Sequence, residues 1–232
     1  ARHPGVLDDY AFVIQGLLDL FDATSGPRWL DAAIRLQGYL DTHHWDKMSG
    51  GYFMTGDNQE KLLSRDKPDY DGAEPSGNSV AAMNLLRLAT ITGETAYRSR
   101  AESVFAAFSR DLSRRGRGLT KMLSALELYL DDPYELVVVT QPGQAEQAEP
   151  LLEVIRKTYL PNRVLVVTAE GSSELQAVPW LENKVVQSGA ATAYVCKQGL
   201  CKRPVETAKA LRAQLESTVT LYRDRSPDSI SF

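Results

Sequence analysis

The sequence predicts a mainly α-helical chain that ends in a small α/β part. Apolar residues recur at helical spacing through the first 130 residues, the helices come in pairs that repeat, and β-branched runs follow residue 132. We therefore expect helical hairpins over residues 1–132, an α/β subdomain over 133–222 and a flexible tail over 223–232.

Five helices are predicted in the first part. Acidic Asp8 and Asp9 open the first helix, whose apolar face carries Tyr10, Val13, Ile14, Leu17, Leu18 and Phe21. The residues Ser25-Gly26-Pro27 end it and begin the second, because proline suits the first helical position. The second helix is predicted to end at about residue 43. The other three are predicted near residues 76–92, 97–108 and 119–130.

The helical pairs repeat with an offset of 67 or 68 residues. The turn Thr24-Ser25-Gly26 recurs as Ile91-Thr92-Gly93, and the same offset places Asp9-Tyr10 opposite Gly77-Asn78. Repeated helical hairpins bury their apolar faces against their neighbours. Between the pairs, residues 50–54 and 61–64 predict a small β-hairpin, and the long acidic stretch 67–77 predicts a functional loop.

The second part alternates strand and helix. Short apolar runs predict strands at 135–140, 163–168 and 191–196, with helices at 144–159 and 205–216. The first strand–helix–strand succession predicts a parallel βαβ unit.

Composition limits the partners. The chain of 232 residues is 43% hydrophobic and carries 26 basic against 30 acidic residues, a net charge of −4. This balance offers no basic field for nucleic acid or a membrane surface, and no apolar run approaches the ~18 residues of a membrane span. We expect no nucleic-acid or membrane partner, no cofactor and no metal. Scarce cysteine and the lack of a leader favour a cytoplasmic location.

Three motifs, in this order, resemble the family of thioredoxin-like, six-hairpin-toroid proteins named after spermatogenesis-associated protein 20. They cover nearly the whole chain. They are Leu7-Asp8-Asp9-Tyr10-Ala11; then Trp45-Asp46-Lys47-Met48-Ser49-Gly50-Gly51-Tyr52-Phe53 with residues 71–79 (DGAEPSGNS); and Tyr194-Val195-Cys196, followed after four residues by Cys201-Lys202-Arg203-Pro204-Val205.

The resemblance implies that this chain is the C-terminal part of a longer protein. Such proteins begin with a thioredoxin-like domain and continue into a toroid of inner and outer helices. The fold expected here is a partial α/α toroid arc of the six-hairpin type, followed by a small α/β subdomain. Five helices cannot close such a ring, so the missing N-terminal portion is expected to pack against residues 1–132.

The predicted function is that of a carbohydrate-active or carbohydrate-binding toroid, whose partner is a sugar or another small metabolite. Related six-hairpin enzymes include epimerases, isomerases and glycoside hydrolases. In such a toroid the equivalent helix starts, near Asp8 and one repeat later near Asn78, would converge on one mouth. Asp8, Asp9 and Glu74 are therefore the candidate catalytic residues, with Tyr10 and Asn78 as sugar ligands. Helix capping is the alternative role for these residues. A non-catalytic scaffold that serves the thioredoxin-like domain is the alternative function.

Two further groups are candidates for chemistry. Trp45 and Tyr52 could stack on a sugar, although packing of the hairpin onto the helices also explains them. The histidine pair at 43 and 44 is explained by a favourable contact with a helix C-terminus, because neighbouring side chains point to different sides of a helix.

The two cysteines form a third group. Cys196 and Cys201 lack the two-residue gap of a thioredoxin motif, and no second pair completes a zinc site. We expect two reduced thiols there, with a local disulfide or a redox pair as the alternative.

Overall fold

The computed structural model describes residues 5–60 and 63–223 and divides them into two compact units. One unit contains the chain up to Asp132 together with Gln176–Pro179, and the other contains Pro133–Leu175 and the chain from Trp180. Of the predicted tail at 223–232, Arg223 belongs to the last helix, and residues 224–232 lie outside the described residues.

The first unit consists of five α-helices. They are α1 (Leu7–Thr24), α2 (Pro27–His43), α3 (Gly77–Thr92), α4 (Thr95–Arg115) and α5 (Thr120–Asp131). Two-residue connections join α1 to α2 and α3 to α4, and each pair packs together as a hairpin. Helix α3 also packs against α1 and α5, so it lies at the centre of the helical layer.

The repeat predicted from the sequence is visible in the burial of α1 and α3. On α1, Phe12, Val13 and Leu20 are 36%, 52% and 42% exposed. An offset of 68 residues places them opposite Val80, Ala81 and Leu88 of α3, which are all fully buried. The face that α3 buries between two neighbouring helices is therefore partly open on α1.

The segment between the hairpins differs from its prediction. Residues 61 and 62 of the predicted hairpin lie outside the described residues. In the described part, Tyr52 pairs with Trp45 in a single antiparallel bridge, and the Met54 N–H donates to the Asp66 carbonyl instead of a residue at 63 or 64. Gly50 and Gly51 form the turn, with φ of 74° and 76°. A Cβ at position 50 would lie 2.5 Å from the carbonyl oxygen of Ser103 in α4, so this turn needs glycine.

The second unit contains a four-stranded mixed sheet of order β2-β1-β3-β4. Its elements are β1 (Tyr134–Thr140), α6 (Glu149–Lys157), β2 (Arg163–Ala169), β3 (Thr192–Lys197), β4 (Leu200–Cys201) and α7 (Ala208–Arg223). Strands β1 and β2 are parallel, which confirms the predicted βαβ unit, and β3 is antiparallel to β1. Apolar residues of the sheet, α6 and α7 form one core.

The mainly α-helical fold with a small α/β part is confirmed, whereas the toroid arrangement remains a prediction. The second unit's helices differ from their predicted bounds: a short 3₁₀ turn precedes α6 within 144–159, and the helix predicted at 205–216 spans 208–223. Within the described residues, no helix is long and apolar enough to cross a membrane.

Candidate functional site

The beginnings of α1 and α3 meet at Asp8. Its carboxylate accepts a hydrogen bond from the Gly77 N–H, and its Oδ1 atom is buried without a hydrogen-bond partner. Burial raises the pKa of Asp8, the Gly77 hydrogen bond opposes that rise, and the negative charges of Asp9 and Glu74 add to it. Two predicted catalytic carboxylates thus influence each other: the charge of exposed Glu74 acts on half-buried Asp8.

Asp9, the third predicted catalytic residue, acts as a capping residue in this structure. It is exposed, and its Oδ2 accepts a hydrogen bond of 2.9 Å from the Val6 N–H at the start of α1. Tyr10 points to a different cluster, in which its ring stacks on Tyr39 with centroids 4.8 Å apart. Burial and the hydrogen bond with Tyr39 raise the pKa of Tyr10.

Asn78 fastens the glycine turn to α3. Its Oδ1 accepts from the Tyr52 N–H at 2.7 Å, and its Nδ2 donates to the carbonyls of Tyr52 and Pro68, each at 2.9 Å. The side chain is fully buried. Both amide N–H groups are thus engaged with backbone, which leaves neither for a sugar hydroxyl. These contacts give Asn78 a structural role, and its role as a sugar ligand stays a prediction.

Trp45 and Tyr52 pack edge to face, with ring centroids 5.0 Å apart. Tyr52 is fully buried, and its hydroxyl donates to Asp41 Oδ1 at 2.7 Å and accepts from Gln37 Nε2 at 2.9 Å. Burial, followed by the charge of Asp41, raises the pKa of Tyr52. Packing of the turn onto the helices, the alternative considered from sequence, accounts for the position of both rings.

The two histidines differ in environment. His43 Nδ1 lies 2.8 Å from Asp57 Oδ1, whereas His44 is fully buried and its Nδ1 lies 3.0 Å from the Phe53 carbonyl. A carbonyl can only accept, so Nδ1 of His44 carries the proton. Burial lowers the pKa of His44, which keeps the imidazole neutral.

The expectation of two reduced thiols is wrong, because Cys196 and Cys201 form a disulfide. Strands β3 and β4 pair these residues directly opposite each other. Gln198 and Gly199 have φ of 51° and 75°, the backbone of a tight two-residue hairpin turn that brings the cysteines together. The predicted redox role of the pair stays a prediction.

Sequence patterns missed a buried polar network on α2. Gln37 is fully buried and donates both to Tyr52 and to Asp41 Oδ1, the latter at 2.8 Å. One signal was present: Gln37 occupies a position in the apolar stripe formed by Leu30, Ala33 and Leu40. A polar residue at such a position needs a buried hydrogen-bond partner. Across residues 5–60 and 63–223, no cluster of three or more His, Cys, Asp or Glu side chains could hold a metal.

The first unit is therefore a layer of helical hairpins, with the Asp8 carboxylate at the place where α1 and α3 begin. No protein-family model matches the chain. Among known proteins, it is 37% identical over 91% of its length to spermatogenesis-associated protein 20 of Rattus norvegicus and, to the same degree, of Homo sapiens. An uncharacterized protein of Caenorhabditis elegans, B0495.5, is 32% identical over 88% of the chain.

These similarities confirm the family expected from the three motifs. The chain belongs to the spermatogenesis-associated protein 20 family, and it spans only 27% of the length of the relatives it matches. It is therefore one part of such a protein.

Proposed function

We propose that the helical unit contributes carboxylates to a carbohydrate site at the beginnings of α1 and α3. The observation that carries this proposal is the Asp8 carboxyl group, which has one buried oxygen without a partner and a raised pKa, beside the exposed Glu74. Carboxyl groups with different environments divide the roles of acid and base between them. The half-buried Asp8 and the exposed Glu74 would be the two groups that transfer protons.

Such a pair suits both reaction classes implied by the family resemblance. Glycoside hydrolysis needs one protonated and one ionised carboxyl group on opposite sides of the bond that breaks. Isomerisation or epimerisation of a sugar needs a base that removes a proton and an acid that returns one. Because the chain spans 27% of its relatives, the remaining walls of the site would come from the rest of the protein.

The test is binding and turnover of a panel of mono- and disaccharides and sugar phosphates by the complete protein. Asp8→Asn and Glu74→Gln should each abolish turnover, because each removes one proton-transfer group while keeping its size. Asp9→Asn is the matched control, because Asp9 only caps α1 here. Equal turnover in Asp8→Asn and wild type, with both folded, would exclude the carboxylate mechanism.

A non-catalytic scaffold is the second candidate, and one observation favours it. Asp9, Asn78 and Tyr52, three of the predicted site residues, use their polar groups in structural hydrogen bonds. In this alternative, the helical unit binds a protein or metabolite on behalf of the thioredoxin-like domain implied by the resemblance. The full sugar panel would then give neither binding nor turnover.

We also infer that another helix of the complete protein covers the open face of α1. Helix α3 buries completely the positions that are equivalent to Phe12, Val13 and Leu20 of α1. The lengths of the relatives leave ample chain to supply such a helix. Leu20→Glu should leave the stability of the 232-residue chain unchanged and lower that of the complete protein. Equal effects in both would contradict the inference.

A further inference from the structure

A cleft of about 650 Å³ lies in the helical unit and is not lined by Asp8 or Glu74. A volume of this size is typical of small-molecule sites, which range over roughly 300–1,000 Å³. Residues of α2, of α4 and of the connection before α4 line it, among them Ile34, Asp41, Glu94, Ala96, Tyr97 and Arg100, and so does the segment 176–179.

The cleft contains a fixed ion pair. Arg100 Nη1 donates to Asp41 Oδ2 at 2.9 Å, while Tyr52 and Gln37 donate to the Oδ1 atom. The exposed fraction is only 14% for the Asp41 side chain and 29% for that of Arg100. These partners hold the carboxylate in one orientation at the wall of the cleft, so this group is preorganised before any ligand binds.

Arg100 keeps donors for a ligand. A guanidinium has five N–H groups, and among the described residues its hydrogen-bond acceptor is Asp41 alone. The charged group lies 5.4 Å from the centre of the Trp45 ring, which supports it from one side. Arg100 therefore presents N–H groups beside the carboxylate of Asp41, a donor and an acceptor next to each other.

The rest of the cleft is partly apolar. Ile34, Ala96 and the ring of Tyr97 supply hydrocarbon surface beside the ion pair. Burial raises the pKa of Tyr97, and the charges of Asp41 and Glu94 raise it further, so its hydroxyl stays a neutral donor at physiological pH.

We propose that this cleft binds a neutral, polyhydroxylated molecule of monosaccharide size. Asp41 and Arg100 compensate each other's charge, and exposed Glu94 adds a negative charge that disfavours anions. Hydroxyl groups both donate and accept, which matches the paired carboxylate and guanidinium. The carbon face of a sugar ring matches the apolar wall. The identity of the ligand class rests on the proposed carbohydrate function, but the location does not.

The test is titration calorimetry of the complete protein with D-glucose, D-galactose, D-mannose and N-acetyl-D-glucosamine, with D-glucuronate as the anionic probe. At least one neutral sugar should bind, and glucuronate at least tenfold more weakly. Ala96→Trp fills the cleft from an exposed position, and Arg100→Lys removes the planar donor group. Each should weaken binding at least tenfold. Ala106→Trp, an exposed alanine of α4 outside the cleft, is the matched control and should bind normally.

The variants separate the two proposals. Binding that survives Asp8→Asn but is lost in Ala96→Trp and Arg100→Lys supports the cleft. Binding that is lost in Asp8→Asn and survives both cleft variants overturns the cleft and leaves the proposed function standing. Failure of every sugar to bind the wild type overturns both. Thermal melting of each variant shows that a lost signal is not a loss of folding.

Discussion

Replacing Asn78 by alanine tests whether this residue has a structural role. The substitution removes three hydrogen bonds from a fully buried site and leaves the Tyr52 N–H and C=O groups without their partners. A net contribution of ~1 kcal/mol per buried hydrogen bond gives about 3 kcal/mol, and unsatisfied backbone groups raise the cost toward ~5 kcal/mol. We therefore expect Asn78→Ala to lower the free energy of unfolding by about 3–5 kcal/mol.

Urea denaturation, followed by circular dichroism, measures this loss as a lower transition midpoint for the helical unit. Amide hydrogen exchange adds a local measurement, because the Tyr52 N–H should lose its protection in the variant while amides in the middle of α1 keep theirs. Asn58→Ala is the control. Asn58 is exposed and bonds only to Tyr39 among the described residues, so its loss should cost under ~1 kcal/mol.

The structural reasoning would be refuted by a folded Asn78→Ala protein within ~1 kcal/mol of wild type that has lost sugar binding. In that case, Asn78 would be free to serve a ligand. A large loss of stability in Asn78→Ala, together with unchanged sugar affinity under conditions where the variant is folded, would remove it from the predicted binding residues.

Three further predictions concern stability. Gly77→Ala should destabilise by about 1–3 kcal/mol in thermal melting, because its Cβ would lie 2.3 Å from a carboxylate oxygen, whereas Gly38→Ala in α2, with open space around it, should stabilise by ~0.5–1 kcal/mol. The free energy of unfolding of the wild type, measured in urea, should fall as pH drops below 6.5. The reason is that burial lowers the pKa of His44 in the folded state, so the unfolded state binds the proton first. His44→Gln should flatten this pH dependence, and an unchanged slope would contradict the prediction. Cys201→Ser should cost about 2 kcal/mol, the loop-closure contribution of a short disulfide to Cys196, and reductant should destabilise the wild type but not the variant.

The helices and strands could be predicted because their signals are local. Periodic apolar residues, the proline at the start of α2 and the glycine at the end of α3 lie within the elements they define. Local signals did not predict the turn between the hairpins. Residues 50–54 are rich in aromatic and flexible residues, which suits a strand, but contacts with Asn78 and α4 decide their path, and those contacts are distant in sequence.

The candidate site could be predicted only where the repeat placed helix starts together. That reasoning brought Asp8 and Glu74 to one end of the unit, as the structure has them. It could not distinguish Asp8, which meets the start of α3, from Asp9, which caps α1, because the two neighbours have the same side chain and differ only in their contacts. The ion pair of Asp41 and Arg100 could not be predicted from local patterns, because 59 residues separate the two in sequence.

The glycine turn also limits what a short motif can say about function. Gly50 and Gly51 are fixed by left-handed backbone and by the close approach of α4, and the aromatic residue that follows is fixed by burial. Any chain with such a turn packed across a helical hairpin would need two glycines followed by an aromatic residue, whatever reaction it catalyses. A Gly-Gly-aromatic sequence therefore identifies proteins that share this turn and not proteins that share a substrate. The substrate has to be assigned from the residues that line the clefts.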